Sequence, residues 1–150
     1  MPAQAERRGS STELANELRP VLVRLARELR KETSHLGVTG AQATLLWQIS
    51  ENPGIGLRAL AELEGIATPT VSGLVDRLGR AELVVRVRSQ TDRRRVGLTI
   101  TPAGARLLVA VRARRTVWLA ERLERLAPSE RAAIAVALVP LAGLIVDGRS

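Results

Sequence analysis

The sequence contains no cysteine, no phenylalanine and no tyrosine, and only one histidine, one methionine and one lysine in 150 residues. Each shortage removes a class of chemistry. Without cysteine there is no disulfide, no thiolate nucleophile, no thiol redox sensor and no Cys-ligated zinc. A reducing compartment fits this composition, and a cytoplasmic location is the expectation. His35 is the only imidazole, which also disfavours zinc or manganese sensing. With Trp47 and Trp118 as the only aromatics, the stacking platforms on which single-stranded nucleic acid is usually read are missing. No Ser/His/Asp order, glycine-rich phosphate loop or metal-ligand spacing occurs, so an enzyme is not expected and no cofactor or metal is implied. The N-terminal "MPAQAERRGS" lacks the apolar stretch of a signal peptide. The most apolar window, Ala132 to Val146, has 15 residues and contains Pro140. It falls short of the roughly 17 to 25 residues that span a bilayer, so a core or interface helix is expected and no membrane partner.

What is abundant is arginine. It supplies 22 of the 23 basic residues, and the chain carries a net charge of +8 with a pI near 11.6. Codon bias can explain arginine over lysine, but the excess charge itself asks for an anionic partner, and the guanidinium fork suits phosphate. The length fits one domain, expected over residues 1–150 and able to bury roughly 70 % of its unfolded surface.

Residues 1–9 read as a polar tail. Leu14, Leu18, Leu22, Leu25 and Leu29 then recur at helical spacing, predicting an amphipathic helix over about 11–35, with Ser10 and Glu13 at capping-box spacing and Pro20 as a kink or late start. Thr39 and Gln42 repeat the capping-box spacing before a second helix that closes on Asn52, Pro53 and Gly54. A short helix over about 57–64 follows, with Leu57, Leu60, Ala61 and Ile66 inward and a stop at Gly65. The next begins with Thr68 as N-cap and Pro69 at its first position. Its inward stripe is Val71, Leu74, Val75 and Leu78. Its other side carries Thr70, Ser72, Gly73, Asp76, Arg77 and Arg80. From Val84 the period changes to two. Val85 and Val87 alternate with Arg86 and Arg88, and after "SQTDRR" Val96, Leu98 and Ile100 alternate with Gly97 and Thr99, predicting a hairpin. Thr101 and Pro102 start a long helix to about Leu126, and "APSE" separates it from a last helix over about 129–146.

Two helices joined by a tight glycine-bearing turn, with a hairpin directly behind the second, form a winged helix-turn-helix pattern. The second helix has a face suited to the major groove of double-stranded DNA, where Thr70, Ser72 and Arg77 can reach base edges or phosphates. Between Thr68 and Thr101 there are seven arginines against Asp76, Glu82 and Asp92, leaving +4, about half the charge of the whole chain. A helix with small polar residues outside can also be a solvated surface helix. Arginines at a hairpin tip weigh against that, because they repel one another unless they meet an anion. The terminal helices hold more leucine, valine and isoleucine than a winged helix of this size needs, which suggests an interface, the alternative being packing on their own domain.

The run from "LGVTGAQATLLWQI" through "TVSGLVDRL" to "TDRRRVGLTITPAG" and "LAPSER" resembles the MarR (multiple antibiotic resistance regulator) family in order and spacing. The resemblance implies a mainly α fold with a small β-hairpin wing: a winged helix-turn-helix over 39–101, flanked by dimerisation helices over 11–36 and 102–147. It implies a homodimeric repressor that binds a pseudo-palindromic operator. DNA contacts would come from Arg58, from Thr68, Pro69, Thr70, Ser72, Gly73, Asp76, Arg77 and Arg80, and from the wing residues Asp92, Arg93, Arg94 and Arg95. In this scheme Arg93 enters the minor groove and Asp92 orients it, although strand alternation would send Arg94 the other way. A small lipophilic or anionic effector is a further implied partner, with Arg27, His35, Trp47 and Trp118 as pocket candidates; core packing is the alternative for Trp47 and a surface position for His35. Glu82 stands where the family usually has glycine, and Gly56 where it has a capping hydroxyl. The competing reading is a winged helix used for protein contact or RNA-duplex binding.

Overall fold

Helix-forming residues run further toward the N-terminus than the leucine spacing suggests. In the computed structural model, which describes residues 2–146 with side chains over 10–145, the first helix α1 spans Pro2–Lys31. The expected tail is therefore helical from Pro2, and no cap forms at Ser10. Ala3, Gln4, Ala5, Glu6, Arg7 and Arg8 are all good or tolerated helix formers, and together they outweigh Gly9. Pro20 sits inside α1 without ending it. Residue 147, the end expected for the last dimerisation segment, lies outside the described residues.

Two compact units emerge, residues 1–115 and 116–150. In the first, α1 closes at Lys31, the hydroxyl of buried Thr33 donates to Arg30 O at 2.8 Å, and a single 3-10 turn, Ser34–Leu36, ends on Gly37 in the left-handed region. Helix α2, Gly40–Glu51, opens with the expected capping box, Gln42 N–H donating to Thr39 Oγ1 and Thr39 N–H to Gln42 Oε1. Helix α3, Leu57–Glu64, stops at Gly65 with φ of 65°, where a Cβ would be strained. Helix α4 spans Thr68–Arg80. Its N-cap is Ala67 rather than Thr68, with the Thr70 and Val71 amides on Ala67 O, so Pro69 falls one position later than expected. The shift is harmless because the first four helix amides lack intrahelical partners in any case. Strands β1, Val84–Arg88, and β2, Val96–Ile100, pair antiparallel, and Ile55 adds a bridge to Leu98.

The core gathers Leu45, Leu46 and Ile49 from α2, Leu60 from α3, Val71, Val75 and Leu78 from α4, and Leu98 from β2. Ile66, expected inward, is exposed, because the turn at Gly65 carries the chain away from the α3 stripe. Helix α5, Pro102–Glu124, starts as the hydroxyl-then-proline signal predicts: Thr101 Oγ1 accepts from Gly104 N–H at 3.0 Å and donates to Glu82 O at 2.7 Å. Further along α5, Arg115 Nε donates to Leu29 O at 3.2 Å and Arg114 pairs with Glu32 at 3.3 Å. Burial, and then the neighbouring Arg30, lowers the pKa of the Arg115 guanidinium.

The second unit comprises the end of α5 and helix α6, Pro128–Val146. Ala127 N–H donates to Glu130 Oε2, which closes the first turn of α6. Trp118 is buried, and the guanidinium of Arg122 stands 3.6 Å from its ring centre.

Glu82 is the one non-glycine residue with positive φ, 60°, among the described residues. A left-handed L-residue costs roughly 1 to 2 kcal/mol, partly offset by glycine's larger loss of freedom on folding. Glu82→Gly is thus expected to stabilise the fold by about 0.5 to 1 kcal/mol, read as a higher urea midpoint with unchanged slope.

Candidate nucleic-acid interface

Burying Val71, Val75 and Leu78 against α2 and α3 fixes which side of α4 faces outward. Thr68, Pro69, Thr70, Gly73, Asp76, Arg77 and Arg80 are exposed and Ser72 is half-buried. A Cβ built at Gly73 would meet nothing within 4 Å, so this face is open and close approach of a large ligand is unobstructed. No side chain caps the N-terminal end of α4, which leaves its positive dipole end available to a phosphate.

The hairpin departs from its simplest reading. Arg86 lies opposite Leu98 in the register, so the arginine face of β1 is the one shared with buried Leu98 and Val84, while Val85 and Val87 are exposed. Arg86 Nη2 donates to Asp76 Oδ1 at 2.9 Å. Asp76, expected as a DNA contact, is thus paired with β1; Arg86 was not among the expected residues because alternation alone does not reveal which strand face turns toward α4.

At the tip, Arg93, Arg94 and Arg95 lie in the turn and not in β2, so strand alternation does not govern where they point. Ser89 N–H donates to Arg95 O at 2.9 Å and Arg95 N–H to Asp92 O at 3.0 Å. Asp92 Oδ1 accepts from Arg94 N–H at 3.0 Å, and Asp92 Oδ2 lies 3.6 Å from Arg95 Nε. The aspartate thus holds the turn and Arg95; it does not contact the side chain of Arg93 as the resemblance implied. One carboxylate cannot face three guanidiniums, and closing the turn points it at the Arg94 amide and Arg95. The side chains of Arg93 and Arg94 have no hydrogen-bond or ion-pair partner among the described residues. Arg58, on α3, pairs with Glu62 at 3.2 Å and borders a groove of about 720 Å³ that also meets Arg88, Arg95 and Gly97.

Of the four residues expected around an effector, Arg27, His35 and Trp47 belong to the first unit. Arg27 borders a depression of about 550 Å³ with Arg30, Lys31, Thr39 and Thr44. His35 is exposed and Trp47 is 46 % exposed, so Trp47 is not a core aromatic; neither borders that depression. Trp118 belongs to the second unit. Among the described residues no three His, Cys, Asp or Glu side chains converge as metal ligands.

A recognition helix with an open polar face, backed by an arginine-tipped hairpin, defines a DNA-binding winged helix. The chain belongs to the MarR family, whose pattern it matches over residues 38–96. It is 32 % identical over 122 residues to an uncharacterised HTH-type transcriptional regulator of Mycobacterium bovis, covering 81 % of this chain and 85 % of that one. A putative transcriptional regulator from Pseudomonas aeruginosa superposes with a TM-score of 0.78 at 28 % identity, over 95 % of this chain and 99 % of that one. A variant of Staphylococcus aureus MepR bound to an oligodeoxyribonucleotide shares the fold, with a TM-score of 0.67 at 20 % identity over 87 % and 96 % of the two chains. The protein is therefore a transcriptional regulator, in a family of non-enzymatic DNA-binding proteins.

Proposed function

We propose that this regulator is a cytoplasmic homodimeric repressor that reads a near-palindromic operator, with α4 of each protomer in a major groove and the wing tip on the flanking minor groove. The observation that carries this reading is the pairing of an open α4 face with two partnerless arginines, Arg93 and Arg94, on a turn already closed by Asp92. Thr70, Ser72 and Arg77 read base edges, while Thr68 and Pro69 at the helix start, with Arg58 and Arg80, lie against phosphates. The oligonucleotide complex of the MepR variant supports this use of the fold. Dimer formation is supported by α6: the apolar stretch expected to be too short for a bilayer extends in the helix over Pro128–Ile145, 18 residues that are by length and composition enough to cross a membrane, yet it is 0 % buried within the chain. Val136 is 78 % and Val139 81 % exposed, and on a DNA-binding chain a second copy is the partner that covers such a face. An anionic or lipophilic effector bound near Arg27 would release DNA only through a difference in affinity between the two protomer spacings.

The test is a gel shift on the DNA upstream of the gene at two salt concentrations, with footprinting. A protected near-palindrome and a steep loss of affinity with salt are expected. Arg93→Ala and Arg94→Ala are each expected to weaken binding by about 1 to 3 kcal/mol with the dimer intact, and Thr70→Ala or Ser72→Ala to shift sequence preference. Wing variants that bind as tightly as the parent chain would exclude the tip from the interface. Equal binding to RNA duplex or to any DNA would favour the module reading instead.

A further inference from the structure

The recognition helix and the wing are separate elements, and their joint use on DNA requires a fixed relative placement. They are connected in sequence only by Ala81, Glu82 and Leu83, at the base of the hairpin. Beyond that connection a cleft of about 370 Å³ opens between α4 and β1, lined by Asp76, Gly79, Arg80, Val84 and Arg86. One ion pair crosses it. Arg86 Nη2 to Asp76 Oδ1, at 2.9 Å, is the single ion pair among the described residues that joins α4 to the hairpin. The others described lie within one helix, within the wing turn, or between α5 and Glu32.

We infer that Arg86 is a positioning residue for DNA reading: through Asp76 it sets the angle between recognition helix and wing, and it does not itself contact phosphate. This rests on the DNA-reading function proposed above. The register starts the Arg86 side chain on the Leu98 face, under the hairpin and toward α4, not on its outer surface. Asp76 is the one carboxylate on the exposed face of α4, beside Arg77 and one turn from Ser72. Unpaired, it would repel the phosphates that this face approaches; paired with Arg86, it is neutralised and becomes the anchor of the strut. Each side chain is about half exposed, so the pair adds little to folding, and its loss leaves the core intact.

The sign of one variant separates this role from a plain charge effect. Asp76→Asn removes a negative charge from a DNA-facing surface and should tighten binding if charge were all that mattered. As a strut it should weaken binding by up to about five-fold, the most that a half-exposed ion pair supplies. The probe is a duplex selected from a random-sequence pool by the wild-type dimer. Asp76→Asn is expected to lose affinity for it, Arg86→Gln to lose at least as much because it also leaves the Asp76 carboxylate unpaired, the double variant no more than Arg86→Gln, and Arg86→Lys much less. The slope of log affinity against log salt should be unchanged in Arg86→Gln, whereas loss of a phosphate contact would lower it by about 0.9. Tighter or unchanged binding by Asp76→Asn, or a lowered slope in Arg86→Gln, overturns the inference while leaving DNA reading intact. A wild-type chain that selects no preferred duplex overturns DNA reading itself, and the strut with it.

Discussion

Gly97→Ala should unfold at a markedly lower urea concentration than the parent chain, with a loss of roughly 3 kcal/mol, at the upper end for an overpacked site. A Cβ at this position would stand 2.3 Å from Gly54 O and 2.7 Å from Gly54 C and Cα. These are backbone atoms, and they cannot move aside freely. Gly54 N–H donates to Leu98 O and Leu98 N–H to Ile55 O, both at 2.8 Å, so a retreat of the α2–α3 loop breaks the bridge that joins it to β2. The strand would lose its support beside buried Leu98, and the wing its attachment to the core. Gly73→Ala is the control: with open space around its Cβ it should stabilise α4 by about 0.5 to 1 kcal/mol while placing a methyl group on the DNA-facing surface. Equal urea midpoints for Gly97→Ala and the parent would show that the loop can yield, contrary to the packing described.

The second large effect concerns assembly. Val136→Asp combined with Val139→Asp places two carboxylates on the most exposed apolar stretch of α6. Burying them unpaired in the proposed subunit interface is prohibitive, so if α6 forms that interface the double variant should run as a monomer in light scattering. Operator affinity should fall about 100-fold or more, because the second recognition helix no longer binds as part of the same molecule. The winged helix itself should stay folded, since its core residues lie in the first unit. A double variant that remained dimeric with full affinity would exclude α6 from the interface.

Much of this was legible in the chain because its signals are local. The Thr39–Gln42 capping box, the stop at Gly65, the Val71–Leu78 stripe and the Thr101–Pro102 start each depend on residues within a few positions of one another, and each is present. The start of α1 was missed because its first nine residues have no apolar spacing, only helix propensity. The Asp76–Arg86 pair was missed for a different reason: the partners lie ten residues apart, one of them on a strand whose facing is set by register, and register depends on Leu98 finding the core. The wing arginines were located but not their roles, because which guanidinium Asp92 takes is decided by turn closure.

That closed turn bears on the entropy of binding. From Ser89 to Arg95 the backbone is already tied by Ser89 N–H to Arg95 O, Arg95 N–H to Asp92 O and Arg94 N–H to Asp92 Oδ1. Ordering a backbone residue costs about 1 to 2 kcal/mol, and here that loss is met during folding and not on the DNA. On the proposed use of the wing, a duplex has only the side chains of Arg93 and Arg94 left to immobilise, and the tip would meet the groove as a preassembled probe.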